Sequence, residues 1–160
     1  MKTLASDPSV NVNWDDLAFY RTPFYRACYF GHLSIVEFLL NHPRVDVSQP
    51  HKEGGTPFYA ACHQGHKEVV ALLLADRRID VNKPENDQRT PLWMASQEGQ
   101  LLVVQLILAS GKDVDTKTKS IGTAPWSNKT AAANARRQAI STHVIWETKK
   151  DTTERSTMAP

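Results

Sequence analysis

The chain has 160 residues, with 41% apolar and 22% charged side chains and a formal net charge of +2. That is the length of about one domain, with enough apolar content to bury a core. So small a net charge does not by itself call for a nucleic-acid or membrane partner. Two cysteines, Cys28 and Cys62, are too few for a disulfide framework, which makes a reducing compartment the default. The first residues hold no apolar signal core, and the longest unbroken apolar run, Val69 to Ala75, is far too short to span a bilayer. The expectation is a soluble intracellular protein, cytoplasmic or nuclear.

In chain order, an extended piece comes first (Asp7-Pro8-Ser9-Val10-Asn11-Val12-Asn13). Next come three segments in register. Thr22-Pro23-Phe24-Tyr25-Arg26-Ala27-Cys28-Tyr29-Phe30-Gly31-His32 is followed 34 residues later by Thr56-Pro57-Phe58-Tyr59-Ala60-Ala61-Cys62-His63-Gln64-Gly65-His66. After another 34 residues comes Thr90-Pro91-Leu92-Trp93-Met94-Ala95-Ser96-Gln97-Glu98-Gly99-Gln100. In each, Thr supplies an N-cap oxygen, Pro suits the first helical position, and Gly ends the helix by accepting a left-handed conformation.

A second apolar stretch follows each Gly. Ile35, Val36, Leu39 and Leu40 recur as Val69, Val70, Leu73 and Leu74, then as Val103, Val104, Ile107 and Leu108. This is one face of a helix. Pro43, Pro50 and Pro84 discourage its continuation, and each unit ends in an extended finger such as Val45-Asp46-Val47. A lone hairpin of this size cannot bury its apolar face, so the units are expected to stack.

The pattern Thr-Pro-Phe/Leu-aromatic-x-Ala, then Gly-His and Val-x-x-Leu-Leu, resembles the ankyrin repeat. The resemblance covers residues 17–115 and implies an all-α solenoid of three units, about 17–48, 49–82 and 83–115. Residues 1–16 read as the tail of a truncated unit, because Asp7 to Asn13 matches His42 to Ser48. Residues 116–128 read as an inserted loop, 129–148 as a degenerate C-terminal capping unit, and 149–160 as an aperiodic tail, expected to be disordered. The family's pattern has Gly two residues before Thr, which only Gly54 satisfies. Tyr20 and Gln88 stand at the other two turns, which are therefore expected to be looser or differently shaped.

The resemblance implies reversible binding of a protein partner along the fingers and inner helices, and no enzymatic activity or cofactor. By position in the repeat, the partner-binding surface is Ala18, Phe19, Arg21, Tyr29 and Phe30, then Lys52, Glu53, His63 and Gln64, then Asn86, Asp87, Arg89, Gln97 and Glu98. The first unit is aromatic and the others polar. Phe19 and Tyr20 could instead fold back over the missing upstream unit. Tyr25, Tyr59 and Trp93 are read as packing residues between units.

Other readings rest on less. Cys28 with His32, and Cys62 with His66, have spacings that could suit zinc or a Cys-His pair. The third unit carries Ser96 and Gln100 at those places, so the pairs follow the repeat, and no metal is expected. From Lys112 onward nine Lys or Arg face five Asp or Glu, a surplus of four. Lys112, Lys117, Lys119, Lys129, Arg136 and Arg137 with Trp126 make nucleic-acid binding through a basic cap one alternative. Another is a regulatory or targeting segment of a larger enzyme or adaptor. Asn82, after Leu74 and Asp80-Val81, fits the family's pattern for asparaginyl hydroxylation.

Overall fold

The computed structural model describes residue 7 and residues 9–115. The expected loop at 116–128, cap at 129–148 and tail at 149–160 lie outside the described residues. Six helices are present among these residues: α1 Pro23–Phe30, α2 Leu33–Leu40, α3 Pro57–Gln64, α4 Lys67–Ala75, α5 Pro91–Gln97 and α6 Leu101–Ala109. They form three antiparallel hairpins stacked in sequence, an all-α solenoid. The inner helices α1, α3 and α5 pack side by side, and the outer helices α2, α4 and α6 run behind them. None of these helices is long and apolar enough to cross a membrane.

The helix signals act as read. Thr22 Oγ1 accepts the Tyr25 amide at 3.1 Å, Thr56 the Tyr59 amide at 3.1 Å, and Thr90 the Trp93 amide at 3.2 Å. Each satisfies one N–H that the first helical turn leaves without an intrahelical acceptor. Gly31 (φ 72°) and Gly65 (φ 78°) close α1 and α3 in the left-handed conformation, with the following amide, His32 or His66, bonding back to Ala27 or Ala61.

The same glycines have a second task. A Cβ on Gly31 would stand 2.5 Å from His66 Nδ1 in the next unit, and one on Gly65 would collide with the Gln100 side chain. Their bareness lets His66 Nε2 donate to the Tyr29 carbonyl at 2.9 Å. The Gly-His step of the repeat is thus a joint between units.

The finger turns differ from the expectation in one respect. Tyr20 (φ 56°) and Gln88 (φ 62°) adopt the same left-handed conformation as Gly54 (φ 85°). The Glu85–Arg89 turn matches His51–Gly55 bond for bond, so it is not looser. Only the first finger is reshaped. It closes from the Asp16 amide to the Arg21 carbonyl, one residue wider than the others, and leaves Leu17 projecting into solvent. A side chain held left-handed costs about 1 kcal/mol relative to glycine. Gln88→Gly is therefore expected to raise stability by roughly 0.5–1 kcal/mol in urea melts, and Gly54→Ala, whose Cβ would lie 2.5 Å from Asn86 Oδ1, to lower it.

The core runs between the hairpins. Phe24, Phe58 and Leu92 lie on the inner helices, Val36, Val70 and Val104 on the outer ones, and Val47 and Val81 in the fingers' tails, all buried. Cys28 and Cys62 sit within this core as free thiols. The expected inter-unit packing of the aromatic series holds for Tyr25 and Tyr59, which are buried, whereas Trp93 is only half-buried.

A second ladder joins the units at the far end of each hairpin. Arg44, Arg78 and Lys112 recur every 34 residues and each reaches back to carbonyls of the unit before. Arg44 Nη2 meets the Asp7 carbonyl at 2.7 Å, Arg78 Nη2 the Leu40 carbonyl at 2.7 Å, and Lys112 Nζ the Asp76 carbonyl at 2.8 Å. In the last two cases a cation sits where an outer helix ends, the negative pole of its dipole. Lys112, read in the sequence with the basic cap, is thus engaged within the stack.

Arg78 also donates to the Asp76 carboxylate, at 2.7 Å from Nη2 to Oδ2 and 2.8 Å from its own amide to Oδ1. The bonds from the Arg78 side chain hold the Asp76 carboxyl below its usual range. A lowered folded-state value means the stabilisation is present above the ordinary carboxylate pKa and lost as pH falls through the lowered one. Asp76→Asn is expected to flatten the fall in stability below about pH 4, as read by denaturant melts across the acid range.

Candidate functional site

The finger tips and the exposed sides of the inner helices form one continuous face. Backbone bonds tie its fingers edge to edge: the Lys52 amide donates to the Phe19 carbonyl and the Asn86 amide to the Glu53 carbonyl, both at 2.9 Å. The expected residues therefore sit on a connected frame, not on independent loops. Ala18, Phe19, Phe30, Lys52, Glu53, Asn86, Asp87 and Glu98 are exposed, and Arg21, Tyr29, His63, Gln64, Arg89 and Gln97 are half-buried.

At the first unit the face is aromatic and cationic. Phe30 is 52% exposed and Phe19 49%. The Arg21 guanidinium lies 4.4 Å from the Phe19 ring centre and 5.6 Å from that of Tyr29. Tyr29 and Phe30 meet edge to face at 5.1 Å, and Arg26 stands 5.9 Å from the Phe30 ring. Cation–π contacts of this kind hold the Arg21 guanidinium in place, with its Nε buried and the residue half-buried. Phe19 and Tyr20 remain about half exposed, so neither is buried by folding back over the upstream end.

The middle of the face is built differently, and here the sequence reading missed residues. His51 stacks on Tyr25 at 5.0 Å between ring centres and bonds the Gly55 carbonyl through Nδ1 at 2.9 Å. One unit on, Glu85 takes the place of His51. It is buried beside Tyr59 and pairs with Arg89, which also holds Asp87 at 2.5 Å. Burial raises the Tyr59 phenol well above its ordinary pKa, and the neighbouring Glu85 carboxylate raises it further. The signal that could have found this pair is the 34-residue recurrence of position 51 as position 85, each beside an inner-helix aromatic.

The cysteine and histidine pairs do not converge. Burial pushes both thiols up, which disfavours the thiolate that nucleophilic or metal chemistry needs. His66 is turned onto Tyr29, and His32 lies exposed. Among the described residues no group of three or more His, Cys, Asp or Glu is placed to hold a metal ion.

Asn82 is half-buried, and its side chain joins two units. Nδ2 donates to the Asp113 carbonyl at 2.7 Å and Oδ1 accepts the Asp115 amide at 2.8 Å. Asn13 makes the equivalent pair with Arg44 and Asp46. An enzyme acting on Asn82 would meet a side chain already engaged on both sides. Of the basic residues considered for nucleic acid, all but Lys112 lie outside the described residues.

A family model for ankyrin repeats in three copies matches residues 1–84 and 24–118. Together with three stacked hairpins in register, this places the chain in the ankyrin-repeat family, whose members generally serve as protein-protein interaction modules. The curated proteins searched contain no match.

Proposed function

We propose that this chain captures a protein partner on its finger and inner-helix face, with the first unit as the anchor and the polar second and third units setting orientation. The observation that carries this reading is the exposed cluster of Phe19, Arg21, Tyr29 and Phe30. Aromatic residues and Arg dominate the energetics of protein interfaces. Here they are held on a frame that loses little freedom on binding. The surface around them (Lys52, Glu53, His63, Gln64, Asn86, Asp87, Arg89, Gln97 and Glu98) offers donors and acceptors of both signs, suited to a polar rim.

The test is affinity capture from the native host with three proteins: the parent chain, Phe30→Glu, and a control with Gln105→Ala on the exposed side of α6. A partner held by the parent and the control is expected to be lost by Phe30→Glu, with at least a thirtyfold weaker Kd for the purified pair, about 2 kcal/mol. Because Phe30 is exposed, its replacement is expected to leave the melt unchanged within about 0.5 kcal/mol. Capture unaffected by Phe30→Glu in a folded protein would refute the assignment.

A further inference from the structure

The charged groups of the finger and inner-helix face are unequally compensated. Arg89 pairs with Glu85 and Asp87, Arg26 stands 3.9 Å from the Asp16 carboxylate, and Glu53 lies 3.5 Å from His51 Nε2. Arg21 differs. Its guanidinium rests on the Phe19 and Tyr29 rings, and its Nε is enclosed without a hydrogen-bond partner. The acid closest to it in sequence, Asp16, already accepts the Phe19 amide at 2.7 Å and faces Arg26. Among the described residues no carboxylate pairs with Arg21. A guanidinium set against rings and lacking an acid is suited to a carboxylate from outside, which its planar fork binds through two parallel N–H bonds.

The other end of the face is of opposite sign. Glu98, at the step of the third unit where the first has Phe30, is exposed, and no cation among the described residues pairs with it. Asp87, in the place of Phe19, has a side chain 73% exposed and shares Arg89 with the buried Glu85. Lys52 and Glu53 stand side by side between these ends. The row thus runs from a cation among aromatic rings to two exposed carboxylates.

Resting on the binding face proposed above, we propose that its occupant is an extended, dipolar segment of the partner. An Asp or Glu of that segment sits on Arg21, an apolar side chain beside it lies over Phe30, and a Lys or Arg reaches Asp87 and Glu98. The stack sets the spacing. Neighbouring helices pack about 8–10 Å apart, so two unit steps span about 16–20 Å, and a chain advancing about 3.3 Å per residue places acid and base about five or six residues apart. The same charges set the direction, because a reversed segment would bring its base to Arg21 and its acid to Glu98.

The experiment selects binders of the full chain from a display library of random peptides long enough to cross the three units. Enriched peptides are expected to carry the acid, the neighbouring apolar residue and the base at that separation, and to lose binding to Phe30→Glu. Replacing the acid of a selected peptide by its amide is expected to weaken binding to the parent at least tenfold and binding to Arg21→Gln less than twofold, a coupling that a merely structural role for Arg21 would not produce. Arg21→Lys, which keeps the charge without the fork, is expected to retain part of that coupling and serves in the same cycle if Arg21→Gln does not fold. Peptides lost with Phe30→Glu but lacking the acid, its fixed separation from the base or the coupling to Arg21 would overturn this inference and leave the binding face standing. Peptides indifferent to Phe30→Glu would remove both, and a library yielding no binder would overturn the dipolar segment.

Discussion

Leu73→Ala is expected to cost about 2–5 kcal/mol, because Leu73 is wholly buried and α4 lies between two other outer helices. The loss combines the transfer free energy of the removed carbons with the cavity they leave. The cavity is not easily closed, since α4 is held by α2 on one side and α6 on the other. Of the three described hairpins the central one supports both neighbours, so the effect is expected to spread along the array. Guanidinium melts followed by helical signal are expected to show the midpoint falling sharply. The equivalent change in α6, Ile107→Ala, is expected to spare the first hairpin longer, because the second hairpin lies between them. A Leu73→Ala chain that melts like the parent would show that stacking of the outer helices is not what holds the array.

The second large effect is electrostatic. Glu85 is buried against Tyr59 and its carboxylate is compensated by Arg89. Arg89→Ala is expected to destabilise by about 2–4 kcal/mol, somewhat below the loss for a fully enclosed pair, because the guanidinium side is partly open to water. Most of that loss comes from leaving a charge buried without its partner, not from the attraction itself. The double change Arg89→Ala with Glu85→Gln is therefore expected to recover part of it, as measured by a double-mutant cycle in urea. If the double variant is less stable than the sum of the two single losses predicts, the buried charge is not the cause. Arg89 also belongs to the proposed binding face, so its binding data need comparison at a temperature where the variant is folded.

Much of this molecule was legible because ankyrin units write their local rules in sequence. Thr22, Thr56 and Thr90 cap, Gly31 and Gly65 stop, and the Val and Leu pairs point inward; each depends only on neighbours within a few residues. The turn at Gln88 was misjudged because glycine is preferred there without being required. The finger's own hydrogen bonds, Glu85 to Arg89, fix the turn firmly enough to hold a glutamine left-handed. The exposure of Ile35 does not follow from its match to Val69, which says what the residue is and not whether a unit lies above it.

The joints between units were the least legible part. His66 to Tyr29, Arg78 to Leu40 and Asn82 to Asp113 link residues 31 to 38 apart, and nothing short of the stack brings them together. The proposed binding face could be placed by position, but its division into an aromatic, cationic first unit and a middle locked by Glu85, Arg89 and Tyr59 depends on which polar groups already satisfy one another. Only the side-chain geometry shows that Arg21 rests on rings while Arg89 is tied to two carboxylates.

The most direct measurement is an amide hydrogen-exchange footprint of the full chain with and without its purified partner. Protection is expected over residues 18–30, extending to the fingers near Lys52 and Asn86, with the exposed sides of α2, α4 and α6 unchanged. Protection confined to the outer helices, with residues 18–30 exchanging as in the free chain, would contradict the placement of the binding face.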